Sequence, residues 1–460
     1  MPDVAEFDAL TAEFYAVWLH YHPDLALQTG LPVTGRLLPP QGDDDLAALR
    51  GWLEELLLGL EALDFSALDA DRQLDWELLA GAARVEHREL GEGDWRHLDP
   101  QRYLPAAVLA WLAWGPAEDL GDAWGDTLAR LLRELPEHLR RAQARLRTAA
   151  DCLAPPLLRV AAAEVQGMRS ALRELARHPW WQRYAQGRPE SDVLQAGADA
   201  ALAGYRHCLT QDLAPRARGA LGCGGAHLSA RLRGLHFIDC ELADGEGDSA
   251  AAPGYAAIVR ALEHAELALA DPPSRPEPVA RPAQRFADGC GGRHHFAVTD
   301  PALAHRLPRR LANDASLAMG WHLYLGHRLA GVCPGARPGL AAERERLLLA
   351  RLDLDLHTGR IACDGALARL RHHGLAGAAA DARLAQLARH PGEALAGVLG
   401  WQLLEQAREH HAVGAGAGDA ERDFHDRLVA QGAIPLPLVL RYGLGPNLWQ
   451  EARIGVLGGC

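Results

Sequence analysis

The chain has 460 residues, 48% of them hydrophobic, with a formal net charge of −13. A core of substantial size is therefore available, and length alone allows two or three domains. The acidic balance, with arginines scattered among the acids, favours solubility and excludes a general nucleic-acid binder.

The start, MPDVAEFDALTAEF, carries Asp3, Glu6 and Asp8 and has neither a basic n-region nor an apolar h-region, so no signal peptide is read there. No apolar run approaches the length of about 18 residues that a membrane span needs. The cysteines, Cys152, Cys208, Cys223, Cys240, Cys290, Cys333, Cys363 and Cys460, form no CxxC pair. That spacing argues against a zinc ribbon or a disulfide framework and for reduced thiols in the cytoplasm.

In chain order, residues 7–30 predict a first helix interrupted near Pro23, and a Pro-rich loop follows. Helical pattern returns over 43–63 and 70–92. His20, His22 and His87 have no metal-ligand spacing. From Thr127 to Ala149 the residues Leu128, Leu131, Leu132, Leu135, Leu139 and Leu146 fall on one stripe, with Pro136 inside it. Pro155-Pro156 opens a partner helix, HPWW at 178–181 reads as the turn that ends the pair, and 192–213 is helical again. The GCGG run at 222–225 is a Gly-rich turn, and no Gly-Lys-Ser/Thr follows to make it a phosphate loop. Residues 255–270 predict a helix. Residues 271–300 are rich in Pro and Gly and read as a linker or long loop between an N-terminal lobe, 1–270, and a C-terminal lobe, 301–460. HHFAVT has some strand character. Helices continue to AERDFHDRLVAQG, and the final VLGGC reads as a loose tail.

The stretch 311–359 holds the chemistry. It predicts two helices, the first bringing Trp321, His322 and Tyr324 to an apolar face and the second Asp353 and His357. Asp353 and His357 are four apart and share one helix face. They are expected to be buried near Trp321 and Tyr324, with His357 needing a partner for its desolvated ring, either Asp353 or Tyr324.

Four segments in order resemble the bacterial family catalogued as domain of unknown function 885: MGWHLY at 319–324, RLLLARLDLDLH at 346–357, HPGEALAGVLG at 390–400, and DFHDRLVAQGAIPLPLVL at 423–440. DRQLDWELL and the long pair at 127–176 extend the resemblance over nearly the whole chain. It implies a mostly all-α, zincin-like metallopeptidase scaffold with little or no β structure. The departures are specific. The family's His-Glu-x-x-Pro-Gly-His-His segment supplies metal ligands and the general base, and the dipeptide His-Glu occurs nowhere here. Either DGCGGRHHFA at 288–297 aligns with that segment, leaving only His294 and His295 matched, or HHFAVTDP aligns with an upstream strand and the metal segment is deleted; both alignments remove the base. The family's ligating Glu before Gly-Trp is Met319, and a thioether does not replace a carboxylate in a hydrolytic zinc site. The family's Tyr after Pro-Gly-Gln-Ala is Gly397, and its Arg-Tyr pair is Gln386-Leu387.

These departures predict a catalytically inactive homologue with no cofactor, keeping a cleft for a peptide, a small molecule or a protein partner, with no nucleic acid and no membrane. In that reading Asp353, His357 and Tyr324 are structural, and His425 and Asp426 serve capping and packing. The alternative is an active hydrolase with zinc on a rebuilt site drawn from His294, His295, His322 and His357. A cysteine nucleophile at Cys290 or Cys333 is a third route, and nothing in the spacing fixes its geometry.

Overall fold

The computed structural model describes residues 2–28, 31, 37–91, 95–114, 122–245, 253–270, 306–312, 315–329, 340–412 and 417–458. Among them the chain forms twenty α-helices and no strand. HHFAVT and the segment 271–300 lie outside the described residues.

The N-terminal part begins with α1 (Pro2–Tyr21) and α2 (Pro23–Gln28), which part at Pro23, where the fixed φ and missing N–H interrupt the ladder. α3 (Asp43–Ala62) and α4 (Ala70–Gly91) pack with α1 around Phe7, Phe14, Leu53, Leu60 and Leu79. Next come α5 (Ala106–Trp114), α6 (Asp122–Thr148), α7 (Pro155–Arg177), α8 (Pro179–Ala185) and α9 (Glu190–His207). The leucine stripe of α6 is buried along its whole length, and α9 packs on both α6 and α7. HPWW does not end this bundle as a turn: Pro179 starts α8, whose Trp180, Trp181 and Tyr184 are buried in the same core. Three large rings on a seven-residue segment give it packing that no local propensity predicts.

The second half of the fold starts with α10 (Gly225–Leu235) and α11 (Pro253–Ala270), followed by α12 (Leu307–Leu311), α13 (Ala315–Leu329) and α14 (Leu340–His357). Then come α15 (Cys363–His372), α16 (Ala378–Arg389), α17 (Glu393–Ala412), α18 (Ala417–Ala430), α19 (Leu436–Leu438) and α20 (Pro446–Leu457). The VLGGC tail is corrected in part, because Val456 and Leu457 close α20, which buries Trp449, Ala452 and Leu457. Short hydrophobic runs broken by Gly443, Gly445 and Pro446 carry no readable period, so the packing of α20 on α17 is a tertiary fact.

α17 runs through the middle of the largest core and touches α11, α13, α14, α18 and α20. That core takes residues from both sides of 271–300, including Leu74 and Leu78 of α4 together with Leu399 and Trp401 of α17. α13 and α17 approach through small residues: a Cβ at Gly320 would lie 2.7 Å from the Gly400 carbonyl carbon, and one at Gly400 would overlap the Ser316 carbonyl oxygen. Met319 of α13 fills the space that a side chain at Gly397 of α17 would need. We expect Gly400→Val to lower stability by roughly 2–4 kcal/mol through forced separation of the two helices. Urea unfolding measures it, and a change under about 0.5 kcal/mol would contradict the close crossing.

Candidate functional site

Every residue from Leu352 to Thr358 is buried, so the end of α14 is enclosed on all sides. Its leucines go into apolar cores, and its polar residues must then find partners inside the protein. Asp353 is fully buried and accepts two backbone N–H groups, from Gly392 to Oδ1 at 3.0 Å and from Leu395 to Oδ2 at 3.1 Å. These belong to the first turn of α17, where intrahelical acceptors are missing. The local sequence, HPGEAL, places Gly392 before the helix with φ +87° and offers no Ser, Thr or Asp there. Asp353 supplies the missing cap from another helix, and its charge suits the positive end of the α17 dipole.

His357 lies one turn further on, also buried. Its Nδ1 accepts the Cys223 backbone N–H at 3.0 Å. Its Nε2 is 3.1 Å from the Leu387 carbonyl oxygen and 3.4 Å from Asp353 Oδ1. An accepting Nδ1 puts the proton on Nε2, which donates to Leu387. Burial pushes the imidazole pKa down to about 4, so the ring is neutral. Burial pushes the Asp353 carboxyl up to about 7, against the pull of the two N–H donors.

The surrounding ion network was not legible in the sequence. Arg231 of α10 donates from Nη1 to Glu89 at 2.6 Å and from Nε to the Pro391 carbonyl at 3.1 Å, just ahead of the Asp353 socket. Glu89 also meets Arg96 at 3.1 Å, and Arg96 grips Glu86 through two bonds of 2.7 and 3.0 Å. On the other face of α14, Asp355 accepts from Tyr255 Oη at 2.7 Å, Arg369 at 2.8 Å and Arg351 at 3.1 Å. The acids of DRQLDWELL have a similar use: Asp75 and Asp71 of α4 pair with Arg309, at 3.0 Å for the buried Asp75 contact. His236 is completely buried with neither ring nitrogen hydrogen bonded, and burial pushes its pKa down to about 4.

Tyr324 is not the partner of His357. Its hydroxyl pairs with His425 Nε2 at 3.0 Å, while Trp321 stacks on Tyr324 at 5.5 Å and meets His425 edge-on. The sequence puts Trp321, Tyr324 and His357 on apolar faces and gives His425 a capping or packing role; only the packing of α18 on α17 brings His425 to Tyr324. His425 is buried at this contact. His322 is half-buried with Nε2 unpartnered, and its pKa is lowered by burial and by the Arg346 charge. His294, His295, Cys290 and Cys333 lie outside the described residues.

The donors that are described do not fit zinc. Asp353 and His357 hold main-chain partners on every oxygen and ring nitrogen, Met319 offers a thioether, and His322 faces a guanidinium that repels a cation. No cluster of three or more His, Cys, Asp or Glu among the described residues is arranged to hold a metal ion. Burial raises the thiol pKa of Cys363 and pushes that of Cys223 up to about 12, which keeps both protonated and poorly nucleophilic.

The buried His357 and Leu356 lie at the back of a cleft of about 900 Å³, lined by Pro155-Pro156, residues 217–222, Gly224 and residues 361–364. Three guanidinium groups face it. Arg159 is held by Asp381 through bonds of 2.7 and 2.6 Å. Arg218 reaches only the Ala217 carbonyl, at 3.4 Å, and neither Arg218 nor Arg371 has a carboxylate partner among the described residues. Of the cleft's acids, Asp244 is engaged by the Gly225 N–H at 2.6 Å.

The class defined by this architecture is an all-helical fold built around a buried, internally capped central helix. Two solved structures resemble the chain in overall fold: a candidate lipoprotein of unknown function from Shewanella oneidensis, at TM-score 0.65 and 11% identity over 95% of this chain and 99% of that one, and a candidate lipoprotein from Colwellia psychrerythraea, at TM-score 0.54 and 14% identity over 96% and 99%. At such identities the likeness concerns the fold alone. No family model and no curated protein matches the chain. Among the described residues no helix is long and apolar enough to cross a membrane.

The buried titratable groups set a pH dependence. His236 and His357 have folded pKa values near 4, below the ordinary 6.5, so the stability they contribute is complete above pH 6.5 and lost as pH falls toward 4. Asp353, raised from 3.8 to about 7, acts oppositely: its contribution is complete below pH 3.8 and lost as pH rises through 7. Between pH 6.5 and 4 these histidines, joined by buried His22 whose pKa burial also lowers, outweigh the one carboxyl, so stability should fall as the pH falls. Urea unfolding at pH 6.5 and 4.5 tests this. His236→Leu should flatten the slope and raise stability at pH 7 by ~1–2 kcal/mol, since it removes two unsatisfied polar atoms. A stability that rises toward pH 4.5 in the wild type would contradict the assignment.

Proposed function

We propose that the chain is a non-hydrolytic ligand-binding protein on a zincin-like peptidase scaffold, and that the cleft beside His357 takes an anionic peptide or small molecule. One observation carries the reading: the Asp353–His357 pair, which the family resemblance places where a metal site is framed, spends its hydrogen-bonding capacity on main-chain groups at Cys223, Leu387, Gly392 and Leu395. A proton shuttle needs an open position and a group that titrates near neutral pH with solvent or substrate in reach. Here the imidazole is held neutral, and the Asp353 carboxyl, though pushed up to about 7, is fully enclosed with both oxygens bound to main-chain N–H groups. The anionic preference follows from Arg218 and Arg371, which face the cleft without carboxylate partners among the described residues. A cytoplasmic location rests on the free thiols of Cys152, Cys208, Cys223, Cys240 and Cys363.

The alternative, a hydrolase with a rebuilt histidine metal site, draws on the unpartnered His322 Nε2. Arg346 beside it and Met319 one turn earlier weigh against a cation there. Elemental analysis of untagged protein, with a peptide-cleavage assay, separates the readings. We expect no stoichiometric zinc and no cleavage. One tightly held zinc per chain, with cleavage abolished by His322→Ala in a folded protein, would overturn the proposal. For the cleft itself, calorimetry with a short Glu-rich peptide should give salt-sensitive binding, weakened at least about tenfold by Arg218→Glu with Arg371→Glu. Unchanged affinity in that variant would remove the cleft from the account.

A further inference from the structure

A second cavity, of about 600 Å³, is lined by α4 and α10 and shares no lining residue with the cleft beside His357. α4 presents Trp76, Gly81, Arg84 and Arg88 to it, a spacing that keeps them on one helix face. α10 and the turn after it present Arg233, Gly234 and Phe237. The two helices touch backbone to backbone, because a Cβ at Gly81 would overlap the Gly234 carbonyl oxygen and one at Gly234 would lie 3.1 Å from the Gly81 oxygen. The crossing leaves room only for Val85 at its edge, and Phe65, Trp76 and Phe237 line the slot beside it.

Those aromatic groups are held in place. The Trp76 indole donates to the Leu60 carbonyl at 3.2 Å and takes Phe65 edge-on at 5.3 Å. Phe237 is the one non-glycine residue with positive φ among the described residues, at 58°. A helix end that turns this way ordinarily uses Gly, and a bulky residue there costs about 1 kcal/mol or more. The turn is closed by the Ile238 N–H on the Leu232 carbonyl at 2.9 Å, and it sets the Phe237 ring 3.3 Å from where a Gly81 Cβ would be. The strain thus places an aromatic wall on the slot.

The charge in the slot is positive in a chain whose net charge is −13. Arg84 lies 5.4 Å over the Trp76 ring and reaches Glu61 only at 3.6 Å, both side chains being half exposed. Arg233 pairs with Asp239 at 2.8 Å, again at the surface, where such pairs exchange readily for another carboxylate. The slot's own acid, Glu77, is already taken by Arg441 at 2.8 Å and by the Tyr442 hydroxyl at 2.6 Å. Aromatic faces around a slot with guanidinium groups at its rim match a flat ring bearing a carboxylate.

We propose that this slot is a binding site for a small aromatic carboxylate, with the ring between Trp76 and Phe237 and the carboxylate on Arg84 and Arg233. The site is independent of the cleft beside His357. Calorimetric titration with 2-naphthoate tests it, with 2-naphthylmethanol and acetate as neutral and non-aromatic controls. Saturable one-to-one binding is expected for 2-naphthoate, with each control at least about tenfold weaker. Arg84→Ala combined with Arg233→Ala should weaken 2-naphthoate at least about tenfold, both residues being surface-exposed and outside the core. Phe237→Gly relieves the backbone strain but removes a ring that also packs on the main core, so it should lose affinity at least fivefold (about 1 kcal/mol) whichever way the melting temperature moves. Arg218→Glu in the other cleft should leave the affinity unchanged. No saturable binding, equal binding of the neutral alcohol, wild-type affinity in the arginine variant, or loss of binding in Arg218→Glu would each overturn the proposal. A Phe237→Gly variant that keeps affinity but melts lower would do the same, assigning Phe237 to packing.

Discussion

The fold depends on how the N-terminus of one buried helix is satisfied. α17 carries the central core, and its first turn lies where no water reaches the free N–H groups. Leaving two such donors unpaired would cost several kcal/mol. The sequence before the helix provides a proline and a glycine in place of a capping side chain, so the acceptor comes from Asp353 of α14. That solution needs a carboxylate inside the protein, and burial pushes its pKa to about 7. His357 then locks the same helix end to two other segments, at Cys223 and Leu387. Together the pair ties four stretches of chain into one polar joint inside an apolar body.

The joint extends toward the N-terminal helices through arginines. Arg231 touches the Pro391 carbonyl beside the cap and Glu89 of α4, and Glu89 passes the connection to Arg96. Replacing one member of such a buried set leaves the others uncompensated, so its worth lies in fixing one arrangement of the helices more than in net stability. Asp355 does the same on the opposite face of α14, joining Tyr255 of α11 to Arg369 of α15. The alternation of Asp, Leu and His in DLDLH is what a helix enclosed on every side requires: leucines into the cores and each polar residue into a prepared socket.

Much of the helix pattern was readable, because long periodic segments such as the leucine stripe of α6 declare both their type and their buried face. That Asp353 and His357 lie buried one turn apart on an apolar helix was readable for the same reason, but Asp353 is not the hydrogen-bond partner of the ring: it stands 3.4 Å away while Nε2 donates to Leu387. Their partners were not readable, since Gly392, Leu395, Cys223 and Leu387 contribute only main-chain atoms, which no side-chain pattern marks. Tyr324, one of the two partners left open for His357, pairs with His425 instead, because spacing along a chain does not tell which of two buried imidazoles a neighbouring helix delivers. The arginine networks were hidden by sequence separation: Arg231 and Glu89 stand 142 residues apart. α8 and α20 were missed where short, interrupted segments take their structure from tertiary burial of Trp and Leu.

The central claim, that His357 is a structural brace and not a metal ligand or proton carrier, is tested most directly by nitrogen-15 NMR of its ring. The account predicts one neutral tautomer with the proton on Nε2 and an accepting Nδ1, unchanged from pH 7.5 to 5 and indifferent to added zinc. An imidazolium forming in that range, a proton on Nδ1, or a stoichiometric shift of the ring nitrogens on zinc addition would contradict it.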